Sequence, residues 1–260
     1  MAFLKMNYHS DVLKTGVTVH VILPEQAKTL IGMDTKGDGT YKTLFLLHGL
    51  SDDYSCWMRR TSIERYAAEH GIAVVMPNVG RSWYTDTAYG AKYFTFVTQE
   101  LPNVCRSYFN GMSRKREDTF VGGLSMGGYG AVKAALRCPE LFGGCISLSG
   151  AFDIMDMRRV KMLDEWKGVF GFDLEDPTQL AGTIHDVYAL AEKNSRENVP
   201  FPKMYLWCGE SDFLLDANRK FRDLLERLQV DHRYEESEGN HSWKWWDLHI
   251  QDGLKYLLKD

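Results

Sequence analysis

The segment Gly123 to Gly127 reads Gly-Leu-Ser-Met-Gly, which matches the pattern G-x-S-x-G. A β-branched and aromatic run at 119–121 precedes it, and an alanine-rich run follows it. This order predicts a strand, a sharp turn and a helix, with Ser125 on the turn. A side chain two residues before or after the serine would clash, which explains both glycines. The segment therefore predicts a nucleophilic hydroxyl; the alternative is a tight glycine turn with an incidental serine.

A serine hydroxyl is a weak nucleophile unless a neighbouring base removes its proton. Among the eight histidines, His241 is the best candidate, because it lies in a predicted loop between the last strand and the final helix. In hydrolases with this strand–turn–helix motif, the acid that orients the base lies between nucleophile and histidine along the chain. Asp212, at the end of a predicted strand, fits this order, and Glu210 and Asp216 are its rivals.

Attack on a carbonyl carbon creates an oxyanion that requires hydrogen-bond donors. One predicted donor is the backbone N–H of Met126, which directly follows the nucleophile at the start of a helix. The second predicted donor is the N–H of Leu50, in the loop after another predicted strand. Trp83 and Tyr84 lie beyond the end of a further strand, where pocket walls form in open α/β sheets, and are candidate substrate contacts.

Alternating strand and helix patterns supply the scaffold for these residues. The alternation predicts an α/β fold with a mostly parallel sheet and helices on both faces. Ala2–Ser10 and Thr15–Leu23 alternate apolar and polar residues, which predicts an antiparallel pair at a sheet edge. The other predicted strands are Lys42–Leu47, Ile72–Met76, Thr119–Gly123, Cys145–Ser149, Lys203–Cys208 and His232–Glu235. The predicted helices are Ser62–His70, Phe94–Phe109 with an irregularity at Pro102, Met126–Arg137, Ala217–Leu228 and Trp246–Leu258.

The composition restricts the class of protein. With 260 residues, 44% hydrophobic residues and a net charge of -4, the chain fits one globular domain over residues 1–260. We expect no nucleic-acid partner, because no basic stripe is visible, and no membrane span, because no apolar run reaches about 20 residues. Met1–Met6 lacks the apolar region of a signal peptide, and the five scattered cysteines form no CxxC pair. These features predict a cytoplasmic protein with reduced thiols and no metal site.

Two segments are open to more than one interpretation. Ala151–Pro202 separates two predicted strands by about fifty residues, more than one crossover helix requires. It is either an ordinary crossover helix with extra packing or a cap over the active site. Asp34–Gly39 resembles the opening of a calcium loop, but Phe45 stands where such a loop needs Glu, so a turn is the better interpretation.

Together, the motifs resemble the esterase D-like branch of the α/β-hydrolases. The resemblance is strongest to bacterial tributyrin esterases and the related acetyl and cinnamoyl esterases. The matching segments follow the family's order over nearly the whole chain. They are HGL at 48–50, SIER at 62–65, VVMPN at 74–78, WYTDTAYG at 83–90, SRKRE at 113–117, GLSMGGYGA at 123–131, CGESDFL at 208–214 and GNHSWKWW at 239–246.

This resemblance implies an α/β-hydrolase fold with an eight-stranded sheet. It implies a serine carboxylesterase, without metal or cofactor, that cleaves small short-chain acyl esters through an acyl-serine intermediate. It places catalysis on Ser125, Asp212 and His241, the oxyanion hole on Leu50 and Met126, and it implies a homo-oligomer, a dimer or tetramer. S-formylglutathione hydrolases share the HGL, GLSMGG and His-x-Trp features and provide the alternative, a thioesterase. A non-catalytic binding scaffold of the same fold is a remote alternative.

Overall fold

A computed structural model describes residues 1–25, 39–171 and 173–259. Within these residues the strands are β1 (Ala2–Ser10), β2 (Thr15–Leu23), β3 (Thr43–Leu47), β4 (Ala73–Met76), β5 (Thr119–Leu124), β6 (Gly144–Leu148), β7 (Lys203–Gly209) and β8 (His232–Ser237). They form one eight-stranded sheet in the order β1-β2-β4-β3-β5-β6-β7-β8. Strands β3 to β8 are mutually parallel, and β1 and β2 run antiparallel at one edge.

Helices connect the parallel strands and cover both faces of the sheet. In the described ranges they are α1 (Cys56–Arg60), α2 (Ile63–His70), α3 (Tyr93–Thr95), α4 (Leu101–Tyr108), α5 (Met126–Arg137), α6 (Leu163–Phe170), α7 (Val187–Arg196), α8 (Leu215–Arg227) and α9 (Trp243–Leu258). A π-helical turn, Phe96–Glu100, joins α3 to α4 just before Pro102. Proline has no N–H to donate, so the helical ladder is interrupted where the sequence predicts an irregularity.

The core has two apolar layers, one on each face of the sheet. Residues of α1, α2 and α9 pack on one face around Trp57 and Trp207. Residues of α5, α7 and α8 pack on the other face around Tyr129 and Phe221. Strands β3 and β5 are buried at every position, because helices cover them on both sides.

The predicted order of strands and helices is confirmed, including the antiparallel pair at the sheet edge. Helix α9 begins at Trp243, three residues before the predicted start, and the Trp243 ring packs edge-on against Trp57 at 5.1 Å. The predicted turn at Asp34–Gly39 lies outside the described residues except for Gly39. None of the helices in the described ranges combines the length and apolar character needed to cross a bilayer.

The connection between β6 and β7 contains more than a crossover helix. Helix α7 fills the crossover role, and it packs against α5. Asn194 of α7 donates a hydrogen bond of 2.7 Å to the carbonyl oxygen of Leu136 in α5. Helix α6 and two 3₁₀ turns, Met157–Met162 and Pro177–Leu180, are additional structure within residues 151–202.

His185 ties this 151–202 segment to α5. The Tyr129 hydroxyl donates to the His185 carbonyl oxygen at 2.8 Å, and the Lys133 amine donates to His185 Nδ1 at 3.2 Å. Burial, reinforced by the positive charges of Lys133 and Arg137, lowers the pKa of His185 to about 3. The imidazole is therefore neutral near pH 7 and serves as an acceptor.

This neutral histidine predicts an acid-sensitive contribution to stability. Between the ordinary histidine pKa of 6.5 and about pH 3, His185 is protonated in the unfolded chain and neutral in the folded protein. The contribution of His185 to the free energy of unfolding is therefore complete above about pH 6.5 and is lost as the pH falls toward 3. We expect His185→Gln, which keeps an acceptor but does not titrate, to reduce the fall in melting temperature between about pH 7 and 5. Equal pH slopes for variant and wild type in thermal unfolding would contradict this.

Candidate active site

Five of the predicted site residues lie at one edge of the sheet. Ser125 follows β5, Asp212 follows β7 and His241 follows β8. Leu50 follows β3, and Trp83 follows β4. Because the strands before these residues are parallel, their carboxyl ends meet at the same edge. The topology thus brings together residues that are up to 191 positions apart in the sequence.

The turn at Ser125 is strained and firmly held. Ser125 has φ 54, a left-handed conformation that side chains other than glycine rarely adopt. Its N–H donates to the Leu148 carbonyl oxygen at 2.9 Å, and its own carbonyl oxygen accepts from the Ala151 N–H at 3.1 Å. A Cβ atom at Gly123 or at Gly127 would come within 2.5 Å of a backbone carbonyl oxygen. Both glycines are therefore required by the turn, as the sequence predicts.

Ser125, His241 and Asp212 form one chain of hydrogen bonds. Ser125 Oγ lies 3.0 Å from His241 Nε2, and His241 Nδ1 lies 2.9 and 3.1 Å from the two carboxylate oxygens of Asp212. Since a carboxylate only accepts, Nδ1 carries the ring proton and Nε2 accepts from the serine hydroxyl. The Asp212 side chain has 0% exposure and also accepts the Leu214 N–H at 2.9 Å.

Aromatic rings hold the imidazole of His241 in place. The Phe213 ring lies 4.5 Å from it, and the Trp246 ring meets it edge-on at 4.8 Å. The Trp246 indole N–H donates to Ser149 Oγ at 3.0 Å, which fixes that ring in turn. The carboxylate that contacts the imidazole is that of Asp212, and not that of Glu210 or Asp216.

The peptide unit between Gly49 and Leu50 has a fixed orientation. The Gly49 carbonyl oxygen accepts from His48 Nδ1–H at 2.7 Å and from the Asp52 N–H at 3.2 Å. His48 Nε2 accepts the Val79 N–H at 3.1 Å, and burial lowers the pKa of His48, so the ring stays neutral. Because a peptide unit is planar, fixing its carbonyl also fixes the direction of the Leu50 N–H.

A cavity of about 400 Å³ opens beside Ser125. Leu50 and Met126, the two predicted oxyanion donors, both line it. As the first residue of α5, Met126 has an N–H without an intrahelical acceptor. The other lining residues are Trp83, Ala151, Asp156, Arg158, Lys161, Met162, Phe213 and Leu214.

Trp83 and Tyr84 occupy different places. Both side chains are 1% exposed, but Trp83 lines the cavity and Tyr84 does not. The Tyr84 ring lies against Gly130 of α5, and its hydroxyl donates to the His48 carbonyl oxygen at 2.8 Å. The structure therefore corrects the predicted substrate contact of Tyr84. The tight turn directs these successive side chains to different sides, and Tyr84 supports the loop that carries Leu50 through the carbonyl oxygen of His48.

Comparison with known proteins gives the family. The esterase family model matches residues 10–257. An acetyl esterase of Caldicellulosiruptor saccharolyticus is 34% identical to this chain, over 100% of this chain and 99% of its own length. This chain belongs to the esterase family.

Solved structures agree with this assignment. FphF, a fluorophosphonate-binding serine hydrolase of Staphylococcus aureus, has a TM-score of 0.87 and 37% identity, covering 100% of this chain and 99% of its own. FrmB of the same organism, an S-formylglutathione hydrolase, has a TM-score of 0.84 and 36% identity, covering 99% of each chain. The predicted α/β-hydrolase fold and enzyme class are confirmed: the enzyme is a carboxylic ester hydrolase of the serine hydrolase type.

Asn218 is a site residue that sequence reasoning missed. It is fully buried in α8, where its Oδ1 accepts the Gly150 N–H at 3.2 Å. Its Nδ2 donates to the Gly150 carbonyl oxygen at 3.0 Å and to the Leu214 carbonyl oxygen at 2.9 Å. Asn218 thereby links two loops. One is the loop after β6, which is hydrogen-bonded to Ser125, and the other is the loop that carries Asp212. The available signal was an asparagine on the apolar, buried face of α8.

A second Ser-His-Asp set lies behind the loop that carries His241. Ser237 Oγ is 3.2 Å from His249 Nε2, and His249 Nδ1 is 3.1 Å from an Asp252 carboxylate oxygen. The His249 ring stacks on Trp207 at 4.2 Å. This set joins the end of β8 to the middle of α9, the two elements between which the loop with His241 lies.

The bonds of Asn218 give a direct test of its role. Asn218→Asp keeps the shape and the acceptor for Gly150 but loses both donated hydrogen bonds. We expect kcat/KM to fall by about 10- to 100-fold, since small displacements of catalytic groups are costly. Stability should fall by at least about 2 kcal/mol, because two carbonyl oxygens lose their donor and a carboxyl group is buried beside them.

The matched control is Asn194→Asp, which disrupts a buried hydrogen bond between α7 and α5 away from the catalytic loops. It should lower the melting temperature and leave kcat/KM close to wild type. An Asn218→Asp enzyme with wild-type kcat/KM would show that Asn218 does not position the catalytic loops.

Proposed function

We propose that the enzyme hydrolyses short-chain acyl esters through a covalent acyl intermediate on Ser125. The observation that carries this proposal is the hydrogen-bonded chain from Ser125 through His241 to Asp212, beside a cavity lined by Leu50 and Met126. The acetyl esterase relative supports a small acyl group. The second candidate is thioester hydrolysis, which the similarity to the S-formylglutathione hydrolase favours.

In the proposed mechanism, His241 Nε2 takes the proton of Ser125 as Oγ attacks the ester carbonyl carbon. Asp212 holds the imidazole in the required tautomer and stabilises the imidazolium. The N–H groups of Leu50 and Met126 donate to the oxyanion of the tetrahedral intermediate. His241 then protonates the leaving alcohol as its C–O bond breaks. Finally, His241 takes a proton from a water molecule as the water oxygen attacks the acyl carbon. The bond between Ser125 Oγ and the acyl carbon then breaks, His241 returns the proton to Oγ, and the acid leaves.

We propose that the 151–202 segment forms a cap over this cavity. Four of its residues between 156 and 162 line the cavity. Helix α6 adds Trp166, whose ring packs edge-on against Trp83 at 5.2 Å. These contacts support a cap that limits the depth of the cavity and favours short acyl groups.

We propose a single domain over residues 1–260, located in the cytoplasm. The resemblance to tributyrin esterases supports a homo-oligomer, a dimer or tetramer. The substrate is a small-molecule ester, and the proposed mechanism requires only this substrate and water in addition to the chain.

Replacement of the nucleophile tests the mechanism. Ser125→Ala should lower kcat for p-nitrophenyl acetate by about 10⁴-fold or more, because serine and histidine act as one unit. It should also abolish labelling by a fluorophosphonate. Ser147→Ala is the matched control, since Ser147 lies in β6 next to β5, is completely buried, and its hydroxyl has no hydrogen-bond partner among the described residues. It should still be labelled, and labelling of Ser125→Ala would refute the acyl-serine mechanism.

A substrate panel tests the acyl and leaving groups. We expect kcat/KM for p-nitrophenyl acetate and butyrate to exceed that for the octanoate by about tenfold or more, because the cap limits the cavity. Methyl ferulate should also be a poor substrate. If S-formylglutathione is cleaved with a higher kcat/KM than every ester, the enzyme is the thioesterase of the second candidate function.

A further inference from the structure

Lys133 is a fully buried lysine on the helix that follows the nucleophile. It lies in α5, eight residues after Ser125, with 0% exposure. Burial lowers the pKa of its amine well below the ordinary value, Arg137 lowers it further, and Asp86 opposes this shift. A buried amine is unfavourable unless it is hydrogen-bonded. Lys133 is absent from the cavity walls, so it acts on the site only through its neighbours.

The amine of Lys133 begins a hydrogen-bond relay to the cavity wall. Its Nζ donates to Thr85 Oγ1 at 2.5 Å, and the Thr85 hydroxyl donates to the Trp83 carbonyl oxygen at 3.1 Å. The same amine lies 5.4 Å from the centre of the Tyr129 ring, which packs edge-on against Trp83 at 5.7 Å. Lys133 is therefore linked to the backbone of Trp83 through Thr85 and to the Trp83 ring through Tyr129.

The backbone at Trp83 needs such support. Trp83 and Tyr84 have φ 53 and φ 48, two successive left-handed residues with bulky side chains. This conformation persists only where the surrounding structure holds it. The hydroxyl of Thr85 bonds the carbonyl oxygen inside this turn, and Lys133 holds that hydroxyl in place.

Lys133 also closes a ring of contacts through the cap. The Trp83 ring meets Trp166 at 5.2 Å, Trp166 meets Phe170 at 5.3 Å, and Phe170 meets His185 at 4.9 Å. His185 Nδ1 accepts from Lys133 at 3.2 Å, which completes the ring. Removal of the amine would open this ring and the relay through Thr85 at the same point.

We propose that Lys133 is a positioning residue that fixes Trp83 as a wall of the cavity and thereby limits the size of the ester that is cleaved. This inference rests on the proposed ester hydrolysis. Without the amine, the turn at 83–84 relaxes, and the indole of Trp83 can move aside when a larger ester enters the cavity. The kcat/KM for large esters then rises relative to that for the acetate ester, while Ser125, His241 and Asp212 keep their contacts.

The test compares substitutions along the relay. Lys133→Met keeps an unbranched buried chain without donors, Thr85→Val removes the relay hydroxyl, and Thr85→Ser keeps it. The measurement is kcat/KM for p-nitrophenyl esters from acetate to octanoate and for acetates of increasingly large alcohols. We expect Lys133→Met and Thr85→Val to raise the ratio of kcat/KM for a large ester to kcat/KM for p-nitrophenyl acetate. The expected rise is about tenfold in one of these series. Thr85→Ser should keep the wild-type ratio.

Asn194→Ala is the matched control, because it removes a buried hydrogen bond to α5 from the crossover helix α7, which contributes no residue to the described cavity lining. It should lower the melting temperature and leave the size ratios unchanged. If Lys133→Met and Thr85→Val change only the melting temperature, Lys133 is purely structural and the inference is wrong. If Lys133→Met does not fold, the Thr85→Val and Thr85→Ser pair decides in the same way. A wild-type enzyme that cleaves none of these esters would instead overturn the proposed function.

Discussion

The left-handed backbone of Ser125 is the constraint on which the site depends. Such a conformation costs about 1–3 kcal/mol, which the surrounding structure must offset. Hydrogen bonds with Leu148 and Ala151 hold the turn from β6, and the missing side chains of Gly123 and Gly127 leave it room. The turn also sets the direction of the first N–H groups of α5. One strained residue thus orients both the hydroxyl and a candidate oxyanion donor.

The strand order explains why the second candidate donor lies close by. From β3 the chain moves outward to β4, and it then returns past β3 to form β5. The loops after β3 and β5 therefore leave adjacent strands toward opposite sides, which opens a crevice at the carboxyl edge. Leu50 follows one of these strands, and Ser125 and Met126 follow the other. Their proximity is a consequence of the topology.

Features with a local cause could be predicted from the sequence. Gly123 reflects a steric contact with the backbone of Gly127 four residues later, and the strand patterns reflect burial on two faces. Gly127 could be predicted only from the motif, because its close contacts are with the backbone of Leu47 and His48. Asp212 and His241 could be identified because each follows a strand whose carboxyl end lies at the active edge. Asn218 and the direction of the Tyr84 ring could not, since both depend on contacts with residues that are distant in the sequence. The subdivision of residues 151–202 likewise follows from packing against α5 and Trp83, which has no periodic signature.

The residues that sequence reasoning missed share a physical role. Asn218, His48 and Lys133 are each at most 1% exposed, and each hydrogen-bonds groups that support the cavity. Aromatic packing tolerates small displacements, because dispersion contacts are numerous and weakly directional. A buried hydrogen bond does not, because a lost partner leaves a desolvated polar group at about 1–3 kcal/mol. Directional polar contacts behind an apolar wall therefore select one position for the wall, and apolar burial alone would leave several of similar energy.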